Sequence, residues 1–196
     1  AINKNDSKNS ASYGSWQLNT GVGKERGKGA VYKFLKKEGK KFNLGHLTPK
    51  TPEFNAAWKK TAKEQPKEFK QAQKNFIHRT HYKPVLKRAQ KYGIDTSSKT
   101  VREALWSQSV QHSFKGNDLM LRQTAKKLKN SKDFSNPNIL KALYSNRGNY
   151  KYAKSHKDRY DQELKQALKN EKKETYIGTA ENTRGIFRPA EKDTIS

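Results

Sequence analysis

The chain has 196 residues and carries 43 Lys and Arg against 18 Asp and Glu, a formal net charge of +25. It is long enough to bury the core of one compact domain, and its charge points to a polyanionic partner or surroundings. It has no cysteine, which excludes disulfides and thiolate chemistry, and no apolar run near the roughly 20 residues a bilayer span needs.

Only 31% of the residues are hydrophobic, but 3 Trp, 9 Tyr and 8 Phe are large enough to build a core. The chain opens Ala-Ile-Asn rather than Met, which reads as a processed product or a fragment of something longer, and no signal-peptide pattern is present. The opening segment has no periodicity and carries Gly14, Gly21, Gly23, Gly27 and Gly29. It reads as loop, with a short hairpin around Tyr13 to Leu18 as the one alternative.

From there the pattern is helix after helix. "AVYKFLKKEG" puts Val31, Phe34 and Leu35 on one face and stops at Gly39. In "TPEFNAAWKKTAKE", Thr51 is the predicted cap and Pro52 the first helical residue, with Phe54, Ala57, Trp58 and Ala62 facing inward. Pro66 opens the next, whose stripe is Phe69, Ala72, Gln73, Phe76 and Ile77, until Pro84 breaks or kinks it. A helix through Val85, Leu86 and Ala89 ends at Gly93. "TVREALWSQSVQHSF" starts with Thr100 and Glu103 as a capping box. Its apolar residues lie on more than one side (Val101, Ala104, Leu105, Trp106, Val110), which predicts the central buried helix over about 101–113.

Three more helices are expected at 118–129, 137–146 and 156–172. No strand of any length competes, so the predicted fold class is all-α. Residues 1–174 hold the whole charge excess, since 175–196 contain three acidic and three basic side chains. That last stretch reads as an extended or disordered tail.

Few residues offer chemistry. The close pair His78 and His81 has no carboxylate beside it on that face, so no metal site is expected, and no cofactor motif is present. The glycines of "GVGKERGKG" lack the preceding strand and the Lys-Ser/Thr of a phosphate loop. Carboxylates remain, and glycoside hydrolysis needs two of them.

The strings "NDSKNSASYGSWQL", "FLKKEG", "FNAAWKKTA", "FKQAQKNFIHRTHYKPVL", "VREALWSQSVQHS" and "LYSNRGNYK…RYDQEL" follow one another in this order. Together they resemble the phage and type VI secretion peptidoglycan-hydrolase domains of the chitosanase-like branch of the lysozyme superfamily, over about residues 5–168. The resemblance implies a two-lobed, lysozyme-like helical domain with the "SYGSWQ" loop or hairpin in its cleft. It implies Asp6 as the base that activates water, and substrate contacts from Ser12, Tyr13, Gly14, Trp16 and Gln17, with His112 as a further cleft residue or a core histidine. The family's acid is a glutamate on a helix upstream of this loop. Residues 1–5 hold no carboxylate, so the expectation is a domain lacking its catalytic helix, with Glu25 the nearest substitute in sequence.

Two functions stay open at this point. One is a glycan-strand hydrolase carried in a phage virion or delivered by a secretion machine to the bacterial envelope, with peptidoglycan or another anionic polymer as its partner. The other is a non-catalytic basic virion protein that binds nucleic acid or structural proteins.

Overall fold

The computed structural model describes residues 1–6, 10–22, 24, 27–150 and 156–184, leaving aside the side chains of 5, 6 and 176–184. The chain is mostly helical, with one small sheet. Its internal contacts divide it into two units, Ala1–Lys83 and Pro84–Ser196.

The first unit opens with an antiparallel meander, β1 (Ile2–Asp6), β2 (Ser10–Tyr13) and β3 (Leu18–Asn19). The β2–β3 hairpin falls where the sequence allows one. β1 does not announce itself, because only Ile2 in "INKND" is apolar. Tyr13 pairs with Ile2 on one side and Leu18 on the other, and Asp6 pairs with Ser10 beyond an irregularity after Asn3.

Against the meander lie α1 (Ala30–Lys36), α2 (Pro52–Glu64) and α3 (Pro66–Ile77). Thr51 caps α2 by accepting from the Phe54 N–H at 3.2 Å, and the predicted α3 stripe is the buried one, residue for residue. In α2 the buried third position is Thr61, while Ala62 is exposed. The Thr61 hydroxyl is satisfied by the Ala57 carbonyl at 3.0 Å, so a polar residue can be buried there without an unmet donor.

The centre of this unit is aromatic. Trp58, 1% exposed, meets Tyr13, Phe34, Phe54 and Phe69 at centroid distances of 5.3, 5.9, 5.8 and 4.6 Å. Edge-on and tilted pairs at such distances add about 0.5–1.5 kcal/mol each beyond the area they bury. After α3 the chain makes a π-helical turn, His78–Tyr82. Pro84 follows it and has no N–H to return to the carbonyl four residues back, which is where an α-ladder loses a bond.

The second unit holds α4 (Lys83–Lys91), α5 (Lys99–Gln111), α6 (Phe114–Ser131), α7 (Asn136–Gly148) and α8 (Lys157–Arg184). Gly93, at φ 75°, closes α4 as expected. Three boundaries differ from the sequence reading, and side-chain caps explain two of them. Ser98, not Thr100, caps α5 by accepting from the Val101 N–H, and its hydroxyl donates to Glu171 at 2.7 Å. Ser113 caps α6 by accepting from the Gly116 N–H at 3.2 Å, so that helix starts several residues before 118. α8 runs on to Arg184 through part of the predicted tail, and residues 185–196 lie outside the described residues.

The central helix of this unit is α7, which packs on α5, α6 and α8 and buries Ile139, Leu140, Leu143 and Tyr144. The prediction for α5 therefore needs correcting. Its buried stripe is Thr100, Val101, Ala104, Leu105, Gln108 and Ser109, a single i, i+3/i+4 face that includes three polar residues. Trp106 is half-buried and Val110 is 37% exposed.

Candidate functional site

β2 is buried along its whole length. Strand alternation sends Ala11 and Tyr13 to one side and Ser10 and Ser12 to the other, and a pocket lies on each. The Tyr13 pocket, of about 420 Å³, is lined by Lys4, Ala11, Lys50, Pro52, Asn55, Ala56 and Lys59 along with Tyr13. The Ser10 pocket, of about 560 Å³, includes Ser10, Asn19, Lys28, Lys33, Thr80 and His81.

Tyr13 has no exposed surface. Its ring stands edge-on to Phe54 at 5.1 Å, so neither face is open for stacking on a sugar. Its hydroxyl donates to Asn55 Oδ1 and accepts from the Lys50 N–H, both at 2.8 Å. Burial pushes the phenol pKa up, which keeps it a neutral donor. Lys50 sits at φ 86°, a backbone cost of about 1–3 kcal/mol for a non-glycine residue that its part-buried hydrogen bond to Tyr13 helps to offset.

Gly14, at φ 76°, starts the hairpin turn, and a Cβ there would fall 2.0 Å from Gln73 Oε1. The positive φ favours glycine there, and a side chain would also have to displace the end of Gln73. Gln17, exposed at φ 50°, turns its own Nε2 back onto the Gly14 carbonyl at 3.0 Å and closes the turn. Trp16 is half-buried and Ser12 is 1% exposed.

Asp6 lies across the ladder from Ser10, one strand from the wall of the Ser10 pocket, but its side chain is outside the described residues. Glu25 is outside them altogether. The hairpin thus gathers Ser12, Tyr13, Gly14, Trp16 and Gln17, whereas His112 belongs to the second unit.

The sequence reading passed over His81, weighing it only as a metal ligand. The Thr80 hydroxyl lies 2.7 Å from both the Phe76 carbonyl and His81 Nδ1. A hydroxyl has one proton, so if it goes to the carbonyl, His81 must donate from Nδ1, leaving the lone pair on Nε2. Burial lowers the His81 pKa, so the ring is neutral at pH 7 and can accept a proton. Pro84 marks a break in the helix, but nothing in the local sequence says that the turn before it carries His81 to the Ser10 pocket.

His112 caps the C-terminus of α5, and its ring meets Tyr150 edge-on at 5.4 Å. Burial, and secondarily the charge of Arg147, push its pKa from 6.5 down to about 4. It is therefore neutral when folded, while the unfolded chain takes up a proton as pH falls through 6.5. Stability tied to His112 is present above pH 6.5 and is lost progressively down to about pH 4, with His81 adding in the same direction. His112 is only partly buried, so solvent screening brings the loss below the full 1.4 kcal/mol per pKa unit, to about 1–2 kcal/mol. Urea midpoints measured from pH 7.5 to 4 should fall less steeply in His112→Gln than in wild type. Parallel curves would remove His112 as the group responsible.

Residues 3–173 match the family described as type VI secretion system spike protein VgrG3-like, C-terminal. The chain belongs to that family. Over 103 residues, 52% of this chain, it is 33% identical to the type VI secretion system spike protein VgrG3 of Vibrio cholerae serotype O1 (strain ATCC 39315 / El Tor Inaba N16961). The matched stretch spans 10% of that protein's length. The VgrG3-like match takes in β1, from Asn3, and the hairpin, and it ends within α8. No described helix of this VgrG3-like domain is long and apolar enough to cross a membrane.

Proposed function

We propose that this VgrG3-like domain is a glycan-strand hydrolase with a lysozyme-like fold, delivered by a type VI secretion machine to the envelope of a target cell. Its structural partners in this reading are the proteins of that machine. Peptidoglycan is the substrate, and Asp6 is the carboxylate that activates water.

The observation that carries the reading is the register of β1. Asp6 pairs with Ser10, which lines a pocket furnished with hydroxyl, amide, imidazole and ammonium groups from Thr80, Asn19, His81 and Lys33. A hydrolytic base acts as the ionised carboxylate. The net charge of +25 suits a domain working on an anionic envelope and opposes the binding of chitosan, a polycation. An inverting hydrolysis also needs a carboxylic acid about 6.5–9.5 Å from the base. The resemblance puts it on a helix preceding the hairpin, so the spike protein that carries the domain is the form to assay.

The test is release of soluble fragments from purified peptidoglycan by that spike protein, its Asp6→Asn variant and its Glu25→Gln variant. Asp6→Asn is nearly isosteric and should cut the rate by about 100-fold or more, with Glu25→Gln unchanged. Full activity in Asp6→Asn would reduce Asp6 to a strand residue. A spike protein that bound DNA and left peptidoglycan intact would replace this reading with the non-catalytic one.

A further inference from the structure

The second pocket of the hairpin, on the Tyr13 face, has a different character from the first. Lys4 comes from β1, Lys50 from the loop before α2 and Lys59 from α2 itself, and all three line one space of about 420 Å³. No carboxylate is among the described residues that line it. Lys4 and Lys59 are paired with none among the described residues, although elsewhere in the unit Arg79 holds Glu38 through two hydrogen bonds, at 2.5 and 2.9 Å. Lys4, Lys50 and Lys59, from three separate segments, turn the same pocket positive, which suits an anionic group.

The floor is apolar, made by Ala11, Pro52 and Ala56. One wall is preset for donation. Asn55 Oδ1 is occupied as the acceptor for the Tyr13 hydroxyl, which fixes the amide and leaves its Nδ2 as the end that can give hydrogen bonds. The volume is in the range of small-ligand sites, about 300–1,000 Å³.

We infer that the Tyr13 pocket is a carboxylate-binding subsite for the peptide stem of the wall polymer, in which Lys4, Lys59 and Asn55 hold a terminal carboxylate and the apolar floor takes small side chains such as alanine methyls. The assignment rests on the proposed peptidoglycan substrate, but it concerns the face of β2 opposite the Ser10 pocket and involves no bond cleavage.

The experiment titrates the 196-residue chain with acetyl-D-alanyl-D-alanine, with its C-terminal amide and with inorganic phosphate at constant ionic strength, followed by NMR. Saturable binding of the acid is expected, roughly tenfold weaker for the amide and for a Lys4→Gln/Lys59→Gln variant, since each loses charge-assisted hydrogen bonds. A Lys126→Gln/Lys129→Gln variant, altered at two exposed positions of α6, controls for general electrostatics and should bind like wild type. Thermal melts check that each variant is folded.

Equal binding of acid and amide overturns the inference, and so does equal weakening by both lysine pairs. Phosphate binding more tightly than the peptide at the same lysines would replace the peptide stem with a phosphate-bearing polymer. Because binding is read without hydrolysis, a failure of Asp6→Asn to reduce wall digestion leaves this result intact, and a negative titration leaves the hydrolase reading intact.

Discussion

Replacing Trp58 by alanine is expected to destabilise the protein by about 3–5 kcal/mol, the range for emptying a fully buried indole site. The site has little freedom to collapse. Trp58 is ringed by Tyr13, Phe34, Phe54 and Phe69, contributed by β2, α1, α2 itself and α3, and relaxing any one of them disturbs the others. A total stability of about 5–15 kcal/mol means that Trp58→Ala could fail to fold, so Trp58→Phe, expected to cost about 1–3 kcal/mol, provides a measurable step. Urea midpoints together with amide hydrogen exchange on α2 and α3 are the readout. Trp106→Ala is the comparison, because Trp106 is only half-buried and should cost clearly less. Equal losses at the two tryptophans would mean that the aromatic cluster is not what holds the first unit together.

How much of this could be read from the sequence depended on whether the deciding interaction was local. The α3 stripe was legible because an i, i+3/i+4 repeat behind Pro66 is a short-range signal, and so was the Thr51–Pro52 start of α2. The sequence points to Thr100 as the cap of α5 because Glu103 stands at capping-box spacing from it, although Ser is the better cap by type. What selects Ser98 is that its hydroxyl also reaches Glu171, 73 residues away. The central helix of the second unit was misjudged for a related reason. Trp106 and Val110 suggest all-round burial of α5, but burial is set by how closely the surrounding helices pack, and of the two it is α7 that packs the more extensively on its neighbours.

The hairpin cluster was visible as a cluster, yet the role of Tyr13 was not. Its hydroxyl meets Lys50 and Asn55, 37 and 42 residues on, so a residue expected to face a sugar is a buried strut between β2 and the start of α2. Lys4, Lys50 and Lys59 are all exposed, and that they line one pocket is visible only in the fold.

Arg147 is where the second unit should respond most strongly, and the response should depend on what replaces it. The side chain has no exposed surface. Its Nη2 donates to Ser107 and Gln111 at 3.1 and 2.5 Å and forms an ion pair with Glu163 at 3.2 Å, and its Cζ lies 4.8 and 4.6 Å from the rings of Tyr144 and Tyr160. Its Nε and Nη1 find no hydrogen-bond partner among the described residues, so the desolvation of the cation is only partly repaid. Arg147→Ala opens a cavity and strands the acceptor of Gln111, for an expected loss of about 3–5 kcal/mol. Arg147→Met fills most of the space without a charge to desolvate. Glu163 keeps Arg159 at 2.7 Å and is 25% exposed, so this variant should lie within about 1–2 kcal/mol of wild type. Arg147→Lys should be worse than Met, because an ammonium cannot lie flat between two tyrosine rings. The His112 pKa gives an independent readout. Losing the Arg147 charge should raise it, and the larger part of its depression, which comes from burial, should persist in the Met variant. If Arg147→Met costs as much as Arg147→Ala, the buried guanidinium is a net stabiliser through its hydrogen bonds and ring contacts, and its two unpartnered nitrogens are a smaller liability than their burial implies.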